Sequence, residues 1–251
     1  MFHDARRLDD DAEIRADVCI VGAGAAGIAL ARELNGQPMR VALLTSGDSD
    51  FRRRPQRLYV GDNIGTANHS TYRSRVRMYG GSTTRWAGMC RPLERIDFEK
   101  RPWIPHSGWP FSWDHLEPYY RRAQEVCHLG PYDYDPTTWT SNGRAALPVD
   151  EQRIGVRIYQ FSHPLDFGRA YLDELSSARN IDVYVHANVV EIEVDPDVRR
   201  VTGLRVATFG GTRLRFSADR FVLACGGLEN PRLLLASSQT ASVGLGNRHD
   251  L

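Results

Sequence analysis

Residues 17–46 limit the fold of this chain more than any other stretch. Residues 18–21 form a short apolar run, the length of a strand buried on both faces. Gly22, Gly24 and Gly27 follow in G-x-G-x-x-G spacing, with Ala23, Ala25 and Ala26 between them. Ile28, Ala29, Leu30, Ala31 and Leu34 continue as a helix, Asn35-Gly36 ends it, and residues 41–44 supply a second strand. Each glycine has a separate task. Gly22 makes the tight turn, Gly24 admits a pyrophosphate to the backbone, and Gly27 lets the helix pack on the strand. The N–H groups at the helix start lack partners and sit at its positive end, which stabilises a phosphate. A lone motif of this kind is weak evidence. The strand before it, the helix after it and the second strand beyond are the context it requires, so the spacing predicts a dinucleotide site.

A length of 251 residues suffices for a sizeable core and one large domain, or one and a half. Lys+Arg total 32 against Asp+Glu 31, and a net charge of +1 gives no reason to invoke nucleic acid or an anionic membrane. Arginines cluster at Arg52-Arg53-Arg54, which reads as a solvated loop, and at Arg73, Arg75 and Arg77. The four cysteines (Cys19, Cys90, Cys127 and Cys225) form no C-x-x-C, so neither a redox dithiol nor a metal site is expected. Cys19 and Cys225 lie in apolar strand patterns and read as small buried hydrophobes; Cys90 and Cys127 take no assignment. Arg6-Arg7 is followed by Leu8-Asp9-Asp10-Asp11, which argues against a secretory or twin-arginine signal. No apolar run approaches the roughly 18 residues of a membrane span, so a soluble, cytoplasmic protein is the expectation.

Residues 1–15 are charged and read as a frayed leader ahead of a domain over 16–251. Residues 47–77 are polar and Arg-rich, and a loop this long is usually functional or mobile. They run into a second glycine-rich segment, residues 78–88, with Gly80, Gly81, Ser82, Thr83, Arg85 and Trp86. Residues 91–113 are dense in proline and tryptophan and predict an irregular packed connection. Ser112 reads as the N-cap of a helix through His115, Leu116, Tyr119, Tyr120, Ala123, Val126 and Cys127, closed at Gly130. Residues 131–164 are less legible, with a candidate strand at 156–161; 131–167 is the candidate start of a substrate region, and residues 168–178 read as a helix. Residues 181–185, 189–194, 201–208 and 213–216 predict a small antiparallel meander with a Gly210-Gly211 turn. Residues 220–235 then repeat the pattern of strand, double glycine (Gly226-Gly227) and helix, with Asn230 in its first turn.

The chain thus carries three ordered motifs: Gly22 to Gly27, Gly80-Gly81-Ser82-Thr83 with Trp86 and Gly88, and Gly226-Gly227-Leu228-Glu229-Asn230-Pro231-Arg232. Together they resemble the flavin-binding half of the glucose-methanol-choline (GMC) oxidoreductases. Cys90-Arg91-Pro92-Leu93, Trp103-Ile104-Pro105 and Ser107-Gly108-Trp109-Pro110 look nearest to the bacterial branch of sugar and polyol dehydrogenases and pyranose oxidases. The resemblance implies an α/β, Rossmann-like FAD/NAD(P)-binding domain with a small β-meander, the substrate domain largely absent. It implies FAD in an extended pose: pyrophosphate on Gly22, Gly24, Ala25, Ala26 and Gly27, and the ring side along Gly80, Gly81, Ser82, Thr83 and Trp86. Val190 or Val189 would meet the adenine, and Gly226, Gly227 and Asn230 would pass near the pyrophosphate and ribityl chain.

Two departures matter. The family's acidic residue after the second strand, which accepts from the ribose hydroxyls, is replaced by Thr45, followed by Ser46, and Asp48 is the nearest carboxylate to compensate. Arg85 stands where covalently flavinylated relatives carry histidine, so the resemblance implies non-covalent FAD. The family reaction moves a hydride from an alcohol or sugar CH–OH carbon to flavin N5 while a histidine removes the hydroxyl proton. That histidine is expected beyond Leu251, carried by a C-terminal half or a complementary polypeptide. Of the eight histidines, His106 and His163 alone merit consideration near a flavin, and a structural role suits both better. No catalytic base is assigned. The alternative is a non-catalytic FAD-binding fragment or pseudo-enzyme. Without its other half, the chain is also expected to expose apolar surface and to associate.

Overall fold

The computed structural model describes residues 1–65, 70–140, 148–150, 153–162 and 165–246. The chain forms two compact units, one of Met1–Arg85 with Asp166–Leu251, the other Trp86–Leu165.

In the first unit seven strands form one sheet. They are β1 (Phe2–Asp4), β2 (Ala12–Val21), β3 (Val41–Leu44), β6 (Ile181–Val185), β7 (Asn188–Val194), β8 (Val201–Ala207) and β9 (Arg213–Leu223). Their order is β1-β6-β3-β2-β9-β8-β7. The pairs from β1 through β9 are parallel, and β9, β8 and β7 pair antiparallel. The apolar runs at 18–21 and 41–44 become central strands because every residue in them is buried, as a sheet covered on both faces demands. Between β2 and β3 the helix α1 (Ala25–Glu33) crosses over, burying Gly27, Ile28 and Ala31. Gly36, at φ +75°, supplies the turn after it.

Four expectations change here. Residues 1–15 are not a frayed leader. Phe2–Asp4 pairs with β6, and β2 begins at Ala12, where its first half lies along β9. Ile181–Val185 leaves the meander and joins the parallel layer between β1 and β3, because its two neighbours cover both its edges. The runs at 213–216 and 220–223 are one strand: β9 pairs with β8 through Arg213–Phe216 and with β2 through Leu223. The helix expected at 168–178 breaks at Tyr171 into Phe167–Ala170 and Leu172–Ser177. Asp166 caps the first piece, its carboxylate accepting from the Gly168 and Arg169 amides.

The second unit carries a two-stranded antiparallel ribbon, β4 (Met89–Cys90) with β5 (Gln160–Phe161), in place of the longer strand expected at 156–161. Its long helix spans Trp113–Val126 with Pro118 inside, and Cys127 caps it ahead of Gly130. His128, at φ +49°, turns the chain away there. Burial raises the thiols of both Cys90 and Cys127, Cys127 to about 11. The proline-tryptophan segment packs Phe98, Trp109 and Phe111 into one aromatic cluster. Trp103 remains 76 % exposed, and Met89, Trp109 and Phe161 are also exposed. Apolar surface of this kind drives association, so gel filtration of the chain alone is expected to show concentration-dependent oligomers. A sharp monomer peak at all concentrations would contradict that.

Candidate functional site

A groove of about 580 Å³ opens where β2, β3 and β9 end, lined from all three strand ends. The chain leaves β2 for β3 on one side, and β9 flanks β2 on the other. That reversal is the point where open parallel sheets leave a crevice for a ligand.

The glycines of this region divide into two kinds. Gly22 sits at φ +108°, and a Cβ there would lie 2.6 Å from Ala224 O. A Cβ on Gly27 would lie 1.8 Å from Gly22 O, so this glycine serves the contact between α1 and the strand and does not line the groove. Gly24 is open: its nearest neighbour would be Gly81 Cα at 4.0 Å. Gly226, at φ +88°, and Gly227 have nothing within 4 Å of where a Cβ would stand, which leaves their backbone bare to the groove. The N-cap of α1 is Gly24 itself, with no side-chain cap and no acidic residue in the first turn. The first-turn amides at Ala25 and Ala26, without partners in the helix, therefore face a groove suited to phosphate.

The first and second glycine clusters meet. The Gly80 amide donates to Ala23 O at 2.8 Å, and a Cβ on Gly81 would come within 2.9 Å of Gly24 Cα. Thr83 fixes the second cluster, its Oγ1 donating to Gly80 O at 2.6 Å and accepting from the Phe167 amide at 3.1 Å. Ser82 Oγ accepts from the Val76 amide at 3.2 Å. Asn230 lines the groove and also pins the last turn: its Oδ1 accepts from the Cys225 amide and its Nδ2 donates to Leu223 O.

Other candidates are placed differently. Val189 lines the groove; Val190 does not, and its side chain is 47 % exposed. Trp86 belongs to the second unit and donates its indole N–H to Leu165 O at 2.9 Å. Asp48 does not line the groove; its carboxylate accepts from the Ser49 amide and stands 3.4 Å from His186 Nε2. Cys225 packs against the core as expected and also lines the groove, its thiol donating to Val21 O and raised by burial to about 11. Among the described residues no histidine lines the groove. His106 lies in the second unit, and His69, His163 and His249 fall outside the described residues.

One cluster was not anticipated. Glu229, 5 % exposed, receives Arg75 at 2.9 Å, Arg77 at 3.1 Å and Arg232 at 2.8 Å. Burial opposes its charge, but the hydrogen bonds from Arg232 and Arg75 and the nearby guanidinium charges hold its carboxyl below the usual range. The ring of Tyr59 supports Arg75 and Arg77 at 3.9 and 4.9 Å. Arginines two apart before Gly80 and an acid straight after Gly226-Gly227-Leu228 were the available signal.

Residues 17–243 match a family described as FAD dependent oxidoreductase. No curated protein matches the chain by sequence. Among solved structures, pyridoxine 4-oxidase from Mesorbium loti superposes with a TM-score of 0.58 at 21 % identity, over 87 % of this chain and 51 % of that one. Formate oxidase gives 0.56 at 20 %, over 91 % and 48 %. A fungal aryl-alcohol oxidase gives 0.54 at 15 %, over 90 % and 47 %. At these identities the likeness is one of fold. The chain spans about half the length of these solved proteins.

Proposed function

Because the chain belongs to the FAD-dependent oxidoreductase family, we propose that it is the FAD-binding portion of a GMC-type enzyme that oxidises an alcohol or sugar CH–OH group. The observation that carries this reading is the contact of the Gly22–Gly24 turn with the Gly80–Gly81 segment along one groove. Ala25 and Ala26 amides would hold the pyrophosphate, with Gly24, Gly226 and Gly227 leaving room for it. Gly81, Ser82 and Thr83 would lie along the ribityl and ring side, and Val189 on the adenine side. Bound flavin supplies the hydride acceptor. The residues of this chain bind and orient it, and Thr83 and Asn230 hold the two turns that shape its seat.

No described residue of the groove suits the removal of a hydroxyl proton. Cys225 keeps its proton on Val21 O, and Glu229 is committed to three guanidinium groups. The base is therefore assigned to a complementary polypeptide, either a continuation of this chain or a separate one. The same observation favours a second reading, a flavin-binding protein without catalysis of its own. Reading the coding sequence beyond Leu251 and in the adjacent frame separates the two: a histidine-bearing C-terminal half supports the first.

The flavin reading itself has a direct test. Purified chain mixed with FAD is expected to elute yellow from gel filtration and to release all flavin on acid precipitation, since Arg85 offers no bond to it. A colourless protein peak contradicts the proposal, and flavin retained in the pellet contradicts non-covalent binding.

A further inference from the structure

The groove end beside β3 is built from donors. In dinucleotide folds a carboxylate after the second strand accepts from the ribose hydroxyls, whereas a nearby arginine accommodates a phosphate on that ribose. Here the strand is followed by Thr45 and Ser46, and Arg77 Nε donates to Ser46 Oγ at 2.8 Å. A hydroxyl that accepts this charge-assisted bond keeps its own proton, so Ser46, which lines the groove, can donate to a ligand oxygen. Three guanidinium groups converge behind it on the single carboxylate of Glu229, leaving positive charge in excess. Arg75 and Arg77 are 19 % and 13 % exposed in their side chains, and Tyr59 lies under both. They are held in place before any ligand arrives, which suits a rigid guanidinium fork to phosphate. Among the described residues, Glu229 is the only acid that lines the groove.

We propose that this end of the groove takes an adenine nucleotide phosphorylated on its ribose hydroxyl, in preference to the unphosphorylated nucleotide. The shared chemistry is an adenosine phosphomonoester, whether the 2′-phosphate of a phosphorylated nicotinamide dinucleotide or the 3′-phosphate of a coenzyme A. Such a ligand would occupy the adenosine side of the groove in competition with FAD. The inference rests on reading the groove as an adenine-nucleotide site and adds a second ligand class to it.

Calorimetric titration of the full chain with 5′-ADP, 2′,5′-ADP and 3′,5′-ADP tests it, with FAD binding measured separately by co-elution. At least one bisphosphate is expected to bind about tenfold tighter than 5′-ADP, the scale of one added charge-assisted contact. Whichever isomer does so identifies the source. R77Q is expected to bring the ratio near one, and T45E, which restores a carboxylate, to reverse it; circular dichroism verifies that each variant folds. The wild-type comparison needs no variant. If FAD and 5′-ADP bind but neither bisphosphate gains, the arginines serve Glu229 alone and this inference fails while the flavin reading stands. If neither FAD nor any nucleotide binds, both fail.

Discussion

Gly27→Ala is expected to lower the melting temperature on the order of 10 °C, from a loss of about 3 kcal/mol or more. The added methyl would sit 1.8 Å from the carbonyl oxygen of Gly22, a backbone atom of the turn that closes β2. No rotamer relieves this contact, because the atom in the way is not a side chain. Either α1 moves off the strand or the turn opens, and Ile28 and Ala31 lose burial with it. Gly24→Val is the informative partner. Gly24 has an extended backbone (φ −92°, ψ −165°) that valine adopts, and its first neighbour stands at 4.0 Å. Its side chain would project over the first turn of α1, so this variant is expected to fold within about 1 kcal/mol of the parent and to lose flavin. Thermal denaturation followed by circular dichroism, with flavin co-elution, reads both. Equal melting temperatures for Gly27→Ala and the parent would overturn the packing role assigned to this glycine.

Glu229→Ala is expected to cost about 3 kcal/mol, since removing one partner leaves buried charge uncompensated. Arg232 is half exposed and relaxes into water, but Arg75 and Arg77 are not. Glu229→Gln keeps the shape and an acceptor oxygen and should lose less, which separates charge from packing. The pH dependence has a fixed sign. The folded carboxyl titrates below its ordinary value of 4.5. Its stabilisation is therefore complete above that value and is lost as pH falls through the folded one. In denaturant unfolding at several pH values, the gap between parent and Glu229→Gln should hold near neutrality and close below pH 4.5. A gap that stays constant down to strong acid would show that the carboxylate charge contributes nothing.

The strand-turn-helix unit at 17–46 was legible in sequence because its apolar runs and glycine spacing are local and Gly27 packs on Gly22 within it; that Gly22 also meets Ala224 was not legible. The meeting of Gly24 with Gly81 was reached only through resemblance, since no periodicity links residues that far apart. The pairing of Glu229 with Arg77 was out of reach for the same reason, as the two lie 152 positions apart. Phe2–Asp4 looked like a tail because a three-residue edge strand has no pattern of its own; its register is set by Val183, Tyr184 and Val185. Val189 and Val190 are equivalent in an apolar run, yet one step along a strand exchanges its two faces, and only the burial of Val189 against the exposure of Val190 separates them.

The continuity of β9 carries a consequence for how this protein can be taken apart. The ribbon that brings Val189 to the groove and the layer that carries Gly22 are stitched by the same eleven residues, Arg213–Leu223. Neither wall of the cleft can be trimmed, swapped or grafted as a module, because excising one removes the seam that holds the other.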